Sequence, residues 1–208
     1  MIVIATRSEG KLRELRPMFA GAGLAAVDLG DLQMHETPEE DGLEVFETFE
    51  ENALAKARFF AQRCGLATIA DDSGLEVLSL NGRPGVWSKR YCGRDDLRGH
   101  ALDDANNAKL LGELAAVEDR RARYVCVAAF VGIDGAGLVH RGETAGIILR
   151  EPRGGRGFGY DPYFLSDELG QTFGEADVAE KARVSHRGRA FAALIDAIAK
   201  VDRGGPPR

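Results

Sequence analysis

The sequence predicts an α/β fold built on a mixed sheet, and three observations carry that reading. Apolar runs of strand length alternate with helix-period segments through the first third of the chain. Further on, two longer strand-like runs, Arg123–Ile133 and Gly137–Arg150, meet around Asp134-Gly135, a hairpin signature. No repeat and no long linker divides the chain. Its 208 residues therefore read as one domain over 1–202, or two lobes sharing one sheet, with 203–208 expected as a disordered tail.

The elements follow in order. Met1–Ala5 is a continuous apolar run, the pattern of a strand buried on both faces. Ser8 to Phe19 reads as a helix, with Leu12, Leu15 and Phe19 at helical spacing, and Leu24–Leu29 as a second strand. An acidic approach, His35–Glu51, leads into a helix whose apolar face is Phe46, Phe49, Ala53, Ala57, Phe60 and Cys64. Glu51, Asn52 and Lys56 are expected on the opposite, outward face. Ala67–Ala70 is a short strand that runs into Asp71-Asp72-Ser73-Gly74, and Leu75–Leu80 resumes as a strand before the turn signal Asn81-Gly82. Asp95–Val117 looks helical. After the hairpin come a glycine-rich loop, Gly154–Gly159, a short strand, Tyr163–Leu165, and a last helix near Gly188–Val201.

Composition narrows the function classes. The formal charge of −6 argues against a broad nucleic-acid footprint, which needs a basic face. An anionic ligand must then be met by a local group of lysines, arginines and backbone amides. Apolar runs are too short to span a bilayer, and MIVIATRSEGK has no charged leader or cleavage site, so it reads as the start of the fold. Three widely spaced cysteines lack metal-ligand spacing; Cys64 and Cys126, in apolar surroundings, read as buried thiols, and a reducing cytoplasm is expected.

Five places look chemical. Thr6-Arg7-Ser8-Glu9-Gly10-Lys11 joins a strand to a helix, where free N–H groups and the helix dipole favour an anion; Ser8 serves equally as an N-cap. It is not a Walker A loop, since no glycine stands five before Gly10 and Leu12 follows Lys11. Asp71-Asp72-Ser73-Gly74 offers two carboxylates with room for different jobs, or a surface turn. A glutamate such as Glu51 on the preceding helix either stands on a solvated face, the usual place for such a charge, or reaches a cation held by that loop. Gly157-Phe158-Gly159-Tyr160-Asp161-Pro162 combines aromatic rings with one carboxylate, suiting a planar base or a strand entry. Ser185-His186-Arg187, with Lys181 nearby, reads either as solvated surface or, with Ser185 as the cap of the last helix, as cationic groups set against its dipole where an anion or electron-rich ligand atom would be met.

In this order the motifs closely resemble the inosine triphosphate pyrophosphatase family. They are the Thr-x-x-x-x-Lys loop of Thr6 and Lys11, Phe49-Glu50-Glu51-Asn52-Ala53 with Lys56, Ala70-Asp71-Asp72-Ser73-Gly74, Arg90-Tyr91, Gly157-Phe158-Gly159-Tyr160-Asp161-Pro162, Lys181 and Ser185-His186-Arg187. The match runs from Ile2 to about Ile198. One departure is Arg7-Ser8, where the family usually has Gly-Asn.

The resemblance implies an elongated α/β domain with a central mixed sheet, two lobes and a nucleotide cleft between them, usually as a homodimer. It implies hydrolysis of non-standard purine nucleoside triphosphates (ITP, dITP and XTP) to monophosphate and pyrophosphate. Mg²⁺ would be held by Glu51 and Asp72, with Asp72 as general base. Thr6, Arg7, Ser8, Glu9, Gly10 and Lys11, with Ser73, would hold phosphates. Phe158, Gly159, Tyr160 and Asp161 would take the base, and Lys181, His186 and Arg187 would donate to its 6-oxo group. No nucleic acid or membrane partner is expected. A kinase-like nucleotide enzyme and a non-catalytic nucleotide-binding module are the competing readings.

Overall fold

The computed structural model of the protein describes residues 1–202; the expected tail, 203–208, lies outside the described residues. Six strands form one mixed sheet in the order β2-β1-β3-β4-β5-β6. They are β1 (Ile2–Ile4), β2 (Ala26–Asp28), β3 (Thr68–Val77), β4 (Arg121–Val131), β5 (Gly137–Ile148) and β6 (Phe164–Ser166). Among the described residues, five α-helices accompany them: α1 (Glu9–Gly21), α2 (Phe49–Cys64), α3 (Gly99–Glu113), α4 (Val178–Val184) and α5 (His186–Asp202). None of the described helices is long and apolar enough to cross a membrane.

The described chain forms two compact units. The first comprises Met1–Asp72, Cys126–Gly142 and the segment from Arg187. Here β1 is parallel to both β2 and β3, with Ile2 opposite Ala26 and Ile4 opposite Ile69. Parallel strands need helical crossovers, and α1 and α2 supply them. Ser8 caps α1 by accepting from the Lys11 N–H, and Thr48 caps α2 by accepting from the Glu51 N–H. The core joins Ile2, Ile4 and Ile69 to Leu15 and Phe19 of α1 and to Phe191, Leu194 and Ile198 of α5. Burial of that apolar surface, at roughly 25 cal/mol per Å², is what holds these amphipathic helices in place.

The second unit comprises Ser73–Val125 and Glu143–His186. β6 is antiparallel to β5, with Gly146 opposite Ser166. Its core gathers Leu75, Val77, Leu110, Leu114, Tyr124, Tyr160, Phe164 and Phe173.

Several expectations need correction. Phe46 lies outside α2 and is exposed, because Thr48 starts the helix two residues later. The stretch read as strand, carboxylate loop and second strand is one strand, β3, with Asp71-Asp72-Ser73-Gly74 in its middle. Gly74 makes this possible: a Cβ there would sit 2.2 Å from the Gly85 carbonyl oxygen and 2.5 Å from Ser88 Oγ. Leu78–Leu80 is 3-10 helix, not strand. Finally, Ser185 closes α4, a helix absent from the sequence reading, and α5 begins at once with His186.

Candidate active site

In the first unit, β3 and α2 converge on two adjacent carboxylates that have opposite environments. A strand turns successive side chains to opposite faces, so Asp71 and Asp72 meet different bonding partners. Asp71 is buried among cations: Lys11 Nζ lies 2.9 Å from Oδ2 and Arg187 Nε 3.5 Å from it. The Cys126 thiol also points at that oxygen, at 3.7 Å. Burial alone would raise the Asp71 pKa, but Lys11, Arg187 and Lys56 outweigh it and hold it well below the usual carboxylate range.

Asp72 is different. It accepts from Asn52 Nδ2 at 2.9 Å, and burial followed by the charge of Glu44 pushes its pKa up to about 6, against Lys56, Lys11 and the Asn52 bond. Asn52 and Lys56, expected to face outward, are buried instead. Lys56 donates to the Asp71 carbonyl oxygen at 2.9 Å and pairs with Glu44. Burial lowers the Lys56 pKa, yet Glu44, Asp71 and Asp72 overcome this and leave it raised. The outward reading failed because Asn52 and Lys56 find buried partners on β3 that helical periodicity cannot show.

Glu44 is the residue that sequence reasoning missed. It stands in an acidic run with Glu36, Glu39, Glu40, Asp41 and Glu47, and nothing in the sequence singles it out. Glu51, the carboxylate expected at the cation, is exposed on the first turn of α2 and accepts from the Thr48 hydroxyl at 2.6 Å. The carboxylate whose charge raises the Asp72 pKa is Glu44.

The loop from Thr6 to Lys11 is built as a turn into α1. Buried Thr6 accepts from the Ser8 N–H at 3.2 Å, while Glu9 and Gly10 open the helix. Arg7 does not join Lys11. Its guanidinium is bonded to Glu40 at 3.0 and 2.7 Å and to the Met34 carbonyl at 2.6 Å. Arg187, expected at the base, is buried and pairs with Glu14 and Asp71. Those two carboxylates offset its charge at the positive end of α5.

The second unit holds the aromatic group. Gly157 has φ +77°, and a Cβ there would lie 2.1 Å from Asp161 Oδ2, so the loop requires glycine. This tight turn lets Asp161 Oδ2 accept from the Phe158 N–H at 2.9 Å and from Lys181 Nζ at 2.6 Å. Lys181 Nζ also stands 5.1 Å from the centre of the Phe158 ring. Buried His186 stacks on Tyr124, with centroids 4.5 Å apart and planes 6° apart. Tyr160 is buried, and its hydroxyl donates to the Ser88 carbonyl at 2.8 Å. Ser73 is half-buried on β3.

Helix α3 clamps the same loop, a feature that the sequence did not signal. Asp103 accepts from the Gly159 N–H at 2.9 Å, and Asn107 donates to the Gly159 carbonyl at 3.0 Å. Among the described residues, no group of three or more His, Cys, Asp or Glu side chains is set to hold a metal by itself.

An acid–base carboxylate of raised pKa on a strand, with lysines at hand, is the equipment of an α/β enzyme that handles an anionic substrate. Comparison makes the assignment specific. The chain belongs to the Ham1 family, which it matches over residues 2–197. It is 47% identical to the dITP/XTP pyrophosphatase of Geobacter sulfurreducens, over 94% of each chain. It is 48% identical to the protein of the same name from Frankia alni, over 96% of this chain and 98% of that one. Among solved structures, a HAM1 protein from Coxiella burnetii superposes with a TM-score of 0.80 at 35% identity, covering 96% of this chain and 98% of the other.

Proposed function

We propose that this chain hydrolyses non-standard purine nucleoside triphosphates (ITP, dITP and XTP) at the α–β phosphoanhydride, releasing the monophosphate and pyrophosphate. The relatives from Geobacter and Frankia carry the corresponding name. The observation that carries the reading is the divided pair on β3: Asp71 held ionised by Lys11 and Arg187, and Asp72 with its pKa pushed up to about 6. Adjacent carboxylates with separated pKa values take separate roles, and a pKa near working pH suits a general base.

A hard divalent cation fits this group. Asp72 and Glu44 offer oxygen donors only, and their repulsion contributes to the raised pKa of Asp72. Mg²⁺ commonly uses one or two carboxylates and leaves its other positions to water and phosphate, which suits a site without a larger acidic cluster. We assign the ion to Asp72 and Glu44; when bound, it would neutralise phosphate charge and acidify a water.

The residues' own work follows from their placement. Asp72 takes a proton from the attacking water, and Asn52 fixes the direction of its carboxylate. Lys11 and Lys56 stabilise charge on the phosphates, with Thr6, Ser8, Gly10 and Ser73 presenting hydrogen-bonding groups, and Arg187 holds Asp71 in place. Phe158 stacks on the base. Asp161 Oδ1 accepts from the ring N1–H, while Lys181 and His186 donate to the 6-oxo oxygen. Adenine, with a 6-amino group and no N1 hydrogen, would oppose like to like at both points. The three free thiols support a reducing, cytoplasmic setting, and the homodimer implied by the family resemblance belongs to the same proposal.

Phosphorus NMR of the products tests the reading. ITP should give inosine monophosphate and pyrophosphate in equal amounts; inosine diphosphate and orthophosphate would place the cut elsewhere. Asp72→Asn should still bind nucleotide but turn over about 100-fold slower or worse.

A further inference from the structure

Tyr124 lies on β4 in the second unit, is buried, and has none of the roles assigned above. Its ring is fixed on three sides: His186 at 4.5 Å, Phe164 at 4.7 Å and Phe173 at 5.8 Å between centroids. Its hydroxyl donates to Asp161 Oδ1 at 3.3 Å. The other oxygen of Asp161 takes the bonds from Lys181 and Phe158. One rigid side chain thus touches both an acceptor and a donor to which the proposed function gives the base.

We propose that Tyr124 is a positioning residue that sets base specificity, orienting Asp161 through its hydroxyl and His186 through its ring. This rests on the base-reading role given above to Asp161 and His186. The physical need is plain. The last torsion of an aspartate is broad and turns both oxygens together, so donors on both sides of the carboxylate confine it more narrowly than two on Oδ2 alone. A third donor, carried by a ring with no room to move, pins Oδ1 where an acceptor must stand to meet a purine N1–H. Stacking does the same for the imidazole plane, which decides where its N–H points. An acceptor held rigidly favours bases with an N1 hydrogen and opposes the bare N1 of adenine; one that can swing away discriminates less.

Tyr124→Phe tests this, because it keeps the stacked ring and removes one oxygen. The dissociation constant for inosine monophosphate and the KM for ITP should each rise about 3–10-fold, with kcat within about twofold. The preference for ITP over ATP should narrow by a similar factor. In an Asp161→Asn background the same substitution should have almost no further effect on either constant, which a merely structural role would not produce. Unchanged constants in Tyr124→Phe, or an equal rise with and without Asp161, would overturn the proposal. A wild-type chain that binds inosine monophosphate but releases no pyrophosphate from ITP would overturn the hydrolytic reading alone, since the binding arm still decides Tyr124. Absence of inosine nucleotide binding would overturn both.

Discussion

At the scale of single residues, chemistry is divided among neighbours that look alike in sequence. Asp71 and Asp72 differ by one position, yet one is surrounded by Lys11 and Arg187 and the other lies near Glu44. The same holds for Glu44 and Glu51, and a pair of substitutions separates them. Glu44→Gln should raise the Mg²⁺ concentration for half-maximal rate by about tenfold or more, in line with the loss of a charged ligand. Glu51→Gln should move it by less than about twofold, because that carboxylate serves the Thr48 cap. A metal titration of both variants checks this, and the reverse order would return the cation to Glu51. Several of these groupings were legible beforehand. Lys11, Asp72, Phe158, Asp161, Lys181 and His186 stand in motifs whose order is informative even where each motif is weak. Glu44 was not legible, since one carboxylate in an acidic run is distinguished only by what folds against it. Nor was the placement of Arg187, whose carboxylate partners Glu14 and Asp71 are distant in sequence.

At the scale of elements, periodicity located α1, α2, α3, α5 and the hairpin but missed α4 and misread β3. Asp-Asp-Ser-Gly has the composition of a turn, and local preference ends a strand there. Tertiary context overrides it: Asp71 and Asp72 bond to α1, α2 and α5, and the Leu75 N–H donates to Ser88 Oγ at 2.8 Å. Packing across Gly74 therefore keeps the carboxylates on a rigid strand. Gly74→Ala would drive a methyl group into the Gly85 carbonyl and Ser88. We expect it to cost about 1–3 kcal/mol in urea denaturation, and to slow turnover by shifting Asp72. A variant as stable and active as the wild type would show that the close approach at Gly74 has no such part.

At the scale of the whole molecule, the two carboxylates make stability depend on pH in opposite senses. Asp71 has a lowered pKa, so its contribution is complete above the ordinary value of 3.8 and is lost as the pH falls below it. Asp72 has a raised pKa. Between 3.8 and about 6 the folded chain keeps a proton that the unfolded chain has released, so stability falls as pH rises through that window and is level above it. In metal-free denaturation, Asp72→Asn should therefore gain on the wild type between pH 4 and 7, by at most about 3 kcal/mol. Parallel curves would mean that Asp72 titrates as an ordinary carboxylate.

The measurement that tests the central claim most directly is pyrophosphate release from ITP, dITP, XTP, GTP and ATP, each with and without Mg²⁺. Metal-dependent release from the first three is the expected result, with little from ATP, whose base opposes Asp161 and Lys181, and little from GTP, as the family resemblance implies. Release from none of the five, or equal release from all of them, would contradict a purine-specific pyrophosphatase.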